Sequence, residues 1–325
     1  MVMDTLKYWT YKITTTPTWW AIGAGFLLLL WQQGVGDLAP SVQIAFFAFF
    51  IFFTGIPHGA IDHLVEKETA ERQQKRFNLP IFLAKYVLTM LFYALVWFFL
   101  PSLSLLFFIL MSAWHFGETD IENAPPTPFW NGARFTFGCF ILLWILFFHA
   151  AEVTPILERI SKNNGIVLTV WLSLVNVRIT TLIILAALTG GFAYFAHQNS
   201  PIYVDKIRCL RLTLIITLTY FLPLLPAFAL YFGGWHALCS FSNIHAYLLR
   251  MNDNSTASSP YSILKTWSKT LLFSLLAFLS LAFVVWYWLR FYQTWDALPL
   301  LFIFLSLITL PHLNVMHRMS KATAA

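Results

Sequence analysis

Long apolar stretches separated by short polar segments dominate the chain. A transmembrane helix needs about 20 mainly apolar residues, whereas a membrane-spanning strand needs about 10 and alternates apolar with polar positions. The stretches here are long and lack that alternation. They therefore predict an all-α, polytopic membrane helix bundle with about ten transmembrane helices, within a range of eight to ten. The stretches lie near residues 18–33, 41–57, 80–100, 102–117, 134–151, 178–197, 208–225, 226–249, 268–289 and 297–318.

The region 165–197 is apolar throughout but contains Arg178 near its middle. Placing a charged side chain at the centre of a bilayer costs at least about 3 kcal/mol. We therefore predict an interfacial helix over 165–177 and a membrane span over 178–197. No internal repeat divides the chain, and we predict one integral-membrane domain over residues 1–325.

The distribution of Lys and Arg predicts the orientation, because cytoplasmic loops of membrane proteins carry an excess of these residues. With the N-terminus inside, only Arg159, Lys162, Arg178 and Arg290 lie outside, and the other sixteen of the 20 basic residues lie inside. This bias predicts cytoplasmic N- and C-termini. It also predicts a multi-pass protein of the inner (cytoplasmic) membrane of the cell.

Composition agrees with a membrane protein, since 59% of residues are hydrophobic and 10% are charged. The net charge of +6 does not indicate nucleic acid, because no Lys/Arg-rich run with interleaved aromatics occurs. The three cysteines lie in or beside apolar stretches without a C-x-x-C spacing. We therefore expect a lipid bilayer as partner and no nucleic acid.

Histidine placement carries the main chemical signal. Four of the nine histidines are embedded in apolar sequence: His58 in GIPHGAIDH, His115 in SAWHFGETD, His236 in YFGGWHALCS and His312 in TLPHLNVMH. Ionisable side chains at membrane depth are candidates for function, and imidazole is the commonest metal ligand. The predicted topology puts all four between the membrane centre and the cytoplasmic face. They indicate a metal centre that acts on a lipid-dissolved molecule.

Three acidic residues follow these histidines. Asp62 lies four residues after His58, so both can share one helix face, and a carboxylate there can orient an imidazole. Glu118 and Asp120 follow His115 as the chain leaves the membrane. Two alternatives remain open. His58 and Asp62 can mark a helix end at the interface. Glu118 and Asp120 can lie in a solvated loop.

Hydrogen bonding within the bundle is an alternative explanation for two of the histidines. His115 can bond to a neighbouring helix. Pro311 frees a backbone carbonyl, which His312 or Asn314 can satisfy. His245 lies nine residues after His236 and therefore faces nearly the opposite side of an ideal helix.

At these residues the chain resembles the Brp/Blh family of bacterial and archaeal beta-carotene 15,15'-dioxygenases. The similarity rests on PHGAxD at His58, HFGxxD at His115, WH at His236 and PH at His312, in that order along most of the chain. The resemblance implies a polytopic, Fe(2+)-dependent enzyme. Its partners would be beta-carotene or a related carotenoid and O2, and it would split the central double bond to give retinal.

The resemblance also implies which residues bind iron. His58, His115 and His236 match three of the family's ligands by position, whereas the fourth family ligand lies four residues after the third, in WHxxRH. Here that stretch reads WHALCS, with Ser240 at the histidine position. His245, His312 or His317 could supply the missing nitrogen, and we include His312 in the predicted metal site.

The acidic residues Asp62, Glu118 and Asp120 are then predicted to act in catalysis by positioning. Two other classes of protein fit parts of the pattern. A membrane transporter would use intramembrane histidines as proton or cation sites, and it predicts two related halves. A catalytically inactive helper of retinal or opsin assembly would fit the replaced histidine.

Overall fold

The computed structural model describes residues 16–162, 164–249, 260–291 and 297–324. This part of the chain is all-helical without a strand, as predicted. Its helices are α1 (Pro17–Val35), α2 (Pro40–Arg72), α3 (Leu79–Phe99), α4 (Pro101–Asp120), α5 (Pro128–Phe148), α6 (Ala150–Ile160), α7 (Gly165–Asn176), α8 (Arg178–Asn199), α9 (Lys206–Phe221), α10 (Leu224–Leu249), α11 (Pro260–Ser268), α12 (Leu271–Phe291) and α13 (Ala297–Ala324).

Seven of these helices are long and apolar enough to cross a membrane: α2, α3, α5, α8, α10, α12 and α13. The protein is therefore a multi-pass membrane protein. The count of ten spans is not confirmed, because α1, α4 and α9 are not among the seven. Helix α7 coincides with the interfacial helix predicted over 165–177. Lys7, Lys12 and Arg250, which contribute to the predicted orientation, lie outside the described residues.

Proline and side-chain caps define where many of the helices begin. Proline is favourable in the first turn, where its missing N–H has no intrahelical acceptor to lose. It opens α1, α2, α4 and α5. The side chain of Asn78 accepts a hydrogen bond from the Ile81 N–H at 3.1 Å and so caps α3.

Two of the helices contain a π-helical turn, Ile51–Gly55 in α2 and Phe232–Ala237 in α10. Such turns widen a helix locally and are frequent at functional sites. Pro57 follows the first turn and has no N–H to donate to the Phe53 carbonyl four residues earlier. The indole N–H of Trp267 in α11 donates to that carbonyl at 3.1 Å instead. The helix continues through Gly-Ile-Pro to Arg72.

The chain separates into two compact units, and the first comprises the chain up to His58 and the segment Tyr203–Ser274. Glycines allow its helices to approach closely. A Cβ at Gly233 would lie 2.7 Å from Phe50 Cβ of α2, and a Cβ at Gly234 would lie 2.8 Å from Ala21 Cβ of α1. Substitution of either glycine would force α10 away from its neighbours.

The second unit comprises Gly59–Ile202 and Leu275–Ala325. Here α4 and α5 are in backbone contact, because a Cβ at Gly117 would overlap the Arg134 carbonyl and one at Gly138 would overlap the Ala113 carbonyl. Arg318 of α13 pairs with Glu66 of α2 at 2.5 Å. The single domain expected over residues 1–325 remains a prediction.

Candidate metal centre

In the first unit, the two π-helical turns bring His58 and His236 together. Their ring centroids are 5.5 Å apart and their planes are nearly perpendicular, at 89°. His236 belongs to the turn in α10, and His58 follows the turn in α2 by three residues. Both side chains are buried, His236 completely. The sequence predicts that these two histidines belong to one site, and the structure makes them neighbours.

The His58 ring has a defined tautomer. Its Nδ1 lies 2.5 Å from the carbonyl oxygen of Gly55, at the end of the π-helical turn. A carbonyl oxygen can only accept, so Nδ1 carries the hydrogen and Nε2 of the neutral ring carries a lone pair. Backbone anchoring of one ring nitrogen is the usual way to orient a histidine that ligates a metal through the other.

An aromatic stack lies against this histidine pair. Phe232 is stacked on His236 at 5.9 Å and 17°, and it meets His58 edge-on at 5.6 Å. Phe228 stacks on Phe232 at 5.4 Å, and Phe47 of α2 stacks on Phe228 at 6.2 Å. The pair is therefore bordered by apolar rings along α10.

In the second unit, Asp62, His312 and His115 form a chain of contacts. Nδ1 of His312 lies 2.8 Å from Oδ1 and 3.0 Å from Oδ2 of Asp62. Nε2 of His312 lies 3.2 Å from Nε2 of His115. The hydroxyl of Tyr86 in α3 donates to Oδ2 of Asp62 at 3.0 Å. Asp62, His312 and His115 are only 2%, 3% and 5% exposed, so the chain is sheltered from solvent.

The separation of the two Nε2 atoms fits a shared metal ion. Metal–imidazole bonds are about 2.0–2.1 Å long. Two such ligands at angles between 90° and tetrahedral would place their nitrogens about 2.8–3.4 Å apart by that bond length. The observed 3.2 Å lies within this interval. Asp62, by accepting the Nδ1 hydrogen of His312, would leave Nε2 of that ring as a donor to a metal.

Residues 49–320 match the family profile described as Beta-carotene 15,15'-dioxygenase. The chain belongs to this family. The beta-carotene 15,15'-dioxygenase of uncultured marine bacterium 66A03 is 26% identical over 264 residues, which is 81% of this chain and 89% of that protein. No solved structure matches the chain. The matched range includes the predicted site residues His58, Asp62, His115, Glu118, Asp120, His236 and His312.

Two of the three acidic residues predicted for the candidate site, Glu118 and Asp120, lie at the end of α4. Asp120 is buried, and Glu118 is partly buried near Arg134 of α5. Burial raises the pKa of the Glu118 carboxyl above its usual value, and Arg134 opposes that rise. Arg134 itself donates to the backbone carbonyls of Ile121 and Ala124 and so anchors the loop between α4 and α5. This placement disfavours a freely solvated loop.

The remaining candidates for a fourth ligand differ in their surroundings. His317 is exposed on α13. His245 is buried, and its Nδ1 lies 2.9 Å from Oγ1 of Thr266 in α11. Ser240, at the position where the resemblance predicts a histidine, is buried on α10. His312, the fourth candidate, differs from these three residues. Its Nε2 lies 3.2 Å from Nε2 of His115, a predicted ligand in the same unit.

Three contacts were not predicted from the sequence: the Tyr86 hydroxyl on Asp62, the Phe232 ring on His236 and the Thr266 hydroxyl on His245. Tyr86 carried a usable signal, because a buried tyrosine hydroxyl in an apolar stretch needs a hydrogen-bond partner. Phe232 carried none, since one phenylalanine among 33 is indistinguishable by composition.

Proposed function

We propose that the protein cleaves the central double bond of beta-carotene, or of a related carotenoid, with O2 to give retinal. We further propose that His58, His115, His236 and His312 hold the Fe(2+) ion this reaction requires. One observation supports the proposal most directly. In a chain of this family, two buried imidazoles present their Nε2 atoms to each other at 3.2 Å, and one of them is held by a carboxylate.

The donor set suits ferrous iron. Imidazole nitrogens bind Fe, Zn, Cu and Ni, and iron sites that activate O2 leave coordination positions open. When bound, Fe(2+) would supply the electronic means to combine O2 with an alkene. One O2 and one C=C bond give two aldehydes, so the reaction balances without an external reductant.

The residues of the chain would orient and neutralise this site. The Gly55 carbonyl fixes the His58 ring, and the Asp62 carboxylate fixes the His312 ring. Four neutral imidazoles leave the charge of a divalent ion uncompensated. Burying an uncompensated charge is costly, and the buried Asp62 carboxylate would offset part of the charge of the ion.

The aromatic stack of Phe47, Phe228 and Phe232 would bind the polyene. Its rings lie against the His58–His236 pair, and an extended hydrocarbon packs favourably on aromatic faces. The substrate is soluble in lipid, so it would enter from the bilayer without crossing water. The apolar rings would also keep water away from the reacting bond.

Expression of the chain in bacteria that make beta-carotene tests the activity. Wild type is expected to deplete the carotenoid and to produce retinal, and the purified protein is expected to contain one iron ion per chain. His115→Ala and His236→Ala should each abolish retinal formation and iron binding. His317→Ala is the matched control, because His317 is exposed on α13.

Two results would contradict the proposal. Unchanged carotenoid with no retinal in the wild-type culture would exclude the reaction. Retention of full iron content by both His115→Ala and His236→Ala would exclude these histidines as ligands.

A further inference from the structure

Tyr86 of α3 reaches the candidate metal centre without being a predicted ligand. Its hydroxyl donates to Oδ2 of Asp62 at 3.0 Å, and its ring packs against Phe82 with centroids 5.7 Å apart. Among the described residues, Asp62 has two hydrogen-bond partners, Tyr86 and His312. The carboxylate is therefore held from two sides.

This arrangement limits how the Asp62 carboxylate can rotate. The terminal torsion of an aspartate has a broad and roughly two-fold energy profile, so one hydrogen bond alone leaves the plane poorly defined. Here His312 Nδ1 lies within 3.0 Å of both oxygens, and Tyr86 binds one of them. Because the Tyr86 hydroxyl binds Oδ2, Oδ1 is the oxygen that lies closer to the imidazole of His312.

The orientation of Asp62 in turn fixes His312. An ionised carboxylate only accepts hydrogen bonds, so Nδ1 of His312 carries the hydrogen. Nε2 of the same ring then presents its lone pair toward Nε2 of His115, 3.2 Å away. Small rotations of the imidazole would move this lone pair off the direction of a shared ion.

We propose that Tyr86 is a positioning residue of the metal centre, which holds Asp62 so that His312 ligates the ion through Nε2. This inference rests on the proposed function, because the ion itself is proposed. Tyr86 acts through Asp62 and does not touch the ion or the substrate.

Tyr93 provides a matched control on the same helix. It lies two turns after Tyr86, is buried, and donates its hydroxyl to the backbone carbonyl of Ser104 at 2.9 Å. Removal of either hydroxyl leaves the ring in place and deletes the hydrogen bond that the hydroxyl donates. Only the bond from Tyr86 leads to the predicted ligands.

The test uses the purified full chain, freed of metal and titrated with Co²⁺, whose visible absorption reports the geometry of its ligands. For Tyr86→Phe we expect the Co²⁺ dissociation constant to rise about threefold to tenfold. This is below the roughly 10- to 100-fold effect of residues that bond a metal ligand directly, because Tyr86 acts one hydrogen bond further away. We also expect a shifted absorption band. Tyr93→Phe should bind Co²⁺ with the wild-type constant and spectrum, whatever its effect on thermal stability.

A double-mutant cycle with Asp62→Asn tests whether Tyr86 acts through Asp62. If it does, Tyr86→Phe should change the constant by less than about twofold in the Asp62→Asn background, because the two residues share one interaction. Equal effects of Tyr86→Phe in both backgrounds, or identical behaviour of Tyr86→Phe and Tyr93→Phe, would overturn the inference. Failure of the wild type to bind Co²⁺ would instead overturn the metal centre together with this inference.

Discussion

Replacement of Asp62 by asparagine tests the support of His312 with little change in side-chain volume. In the structure both carboxylate oxygens lie within 3.0 Å of His312 Nδ1, and one also accepts from Tyr86. Asparagine offers one acceptor oxygen and an NH2 group that can only donate. It cannot serve both neighbours equally, and it carries no charge.

The magnitude follows from the change in hydrogen-bond type. A hydrogen bond to a charged group contributes about 1.5–3 kcal/mol, against about 1 kcal/mol for a neutral one. The hydrogen bond to His312 is therefore weakened by about 0.5–2 kcal/mol, which is roughly a 2- to 30-fold weaker affinity for the metal at about 1.4 kcal/mol per tenfold. The upper part of this interval overlaps the roughly 10- to 100-fold losses seen when residues that support metal ligands are changed.

Glu66→Gln is the matched control for Asp62→Asn. Glu66 lies one turn later on α2 and also contacts α13, through Arg318, whose side chain is 58% exposed. Loss of an exposed ion pair changes stability by at most about 1 kcal/mol, and it should leave metal affinity within about twofold. Iron content after dialysis and Fe(2+) affinity by competition with a chelator are the measurements. Equal affinities for Asp62→Asn and Glu66→Gln would refute the role given to Asp62.

Two further predictions concern the fold and its orientation. Gly138→Ala should lower the melting temperature in detergent by several degrees or prevent folding, because its Cβ would overlap the Ala113 carbonyl; Gly190→Ala, with no atom within 4 Å of its Cβ, should be neutral. Equal melting temperatures for the two variants would contradict the α4–α5 contact. A fluorescent protein fused after Ala325, active only in the cytoplasm, should fluoresce, and a periplasmic reporter at the same site should be inactive; the reverse result would exclude a cytoplasmic C-terminus.

The helices were largely predictable because apolar length is a direct physical requirement of a bilayer. The predicted stretch 80–100 differs from helix Leu79–Phe99 by one residue at each end. The stretch 41–57 ended too early, since GIPHGAIDH looks like a break in the sequence. Helix α2 nevertheless continues past Pro57, and the Phe53 carbonyl, to which Pro57 cannot donate, accepts instead from Trp267, more than two hundred residues later.

The sequence predicts the residue types of the candidate site, but it does not predict which of these residues contact each other. Each embedded histidine stands out locally as a polar group in apolar sequence. The Asp62–His312 contact joins residues 250 positions apart, and no local pattern encodes it. Asp62 was expected to orient an imidazole by its spacing from His58, and the structure gives it His312 as partner. The π-helical turns were also not predicted, because hydrophobic spacing does not distinguish five residues per hydrogen-bonded turn from four.

Helix α10 has the lowest mean hydropathy of the seven candidate spans, 1.3, and the largest buried share, 78%; α3 and α12 reach 1.9 and 2.1 with 6% buried. The insertion machinery releases a segment into lipid according to its own apolarity. Helices α3 and α12 can therefore enter the lipid as single helices. Helix α10 is stabilised most by packing against helices that have already been inserted. During biogenesis, Gly233 and Gly234, which allow α1 and α2 to pack closely on α10, would determine how quickly α10 packs against them. Slow folding is therefore the defect to expect when either glycine is replaced by a larger residue.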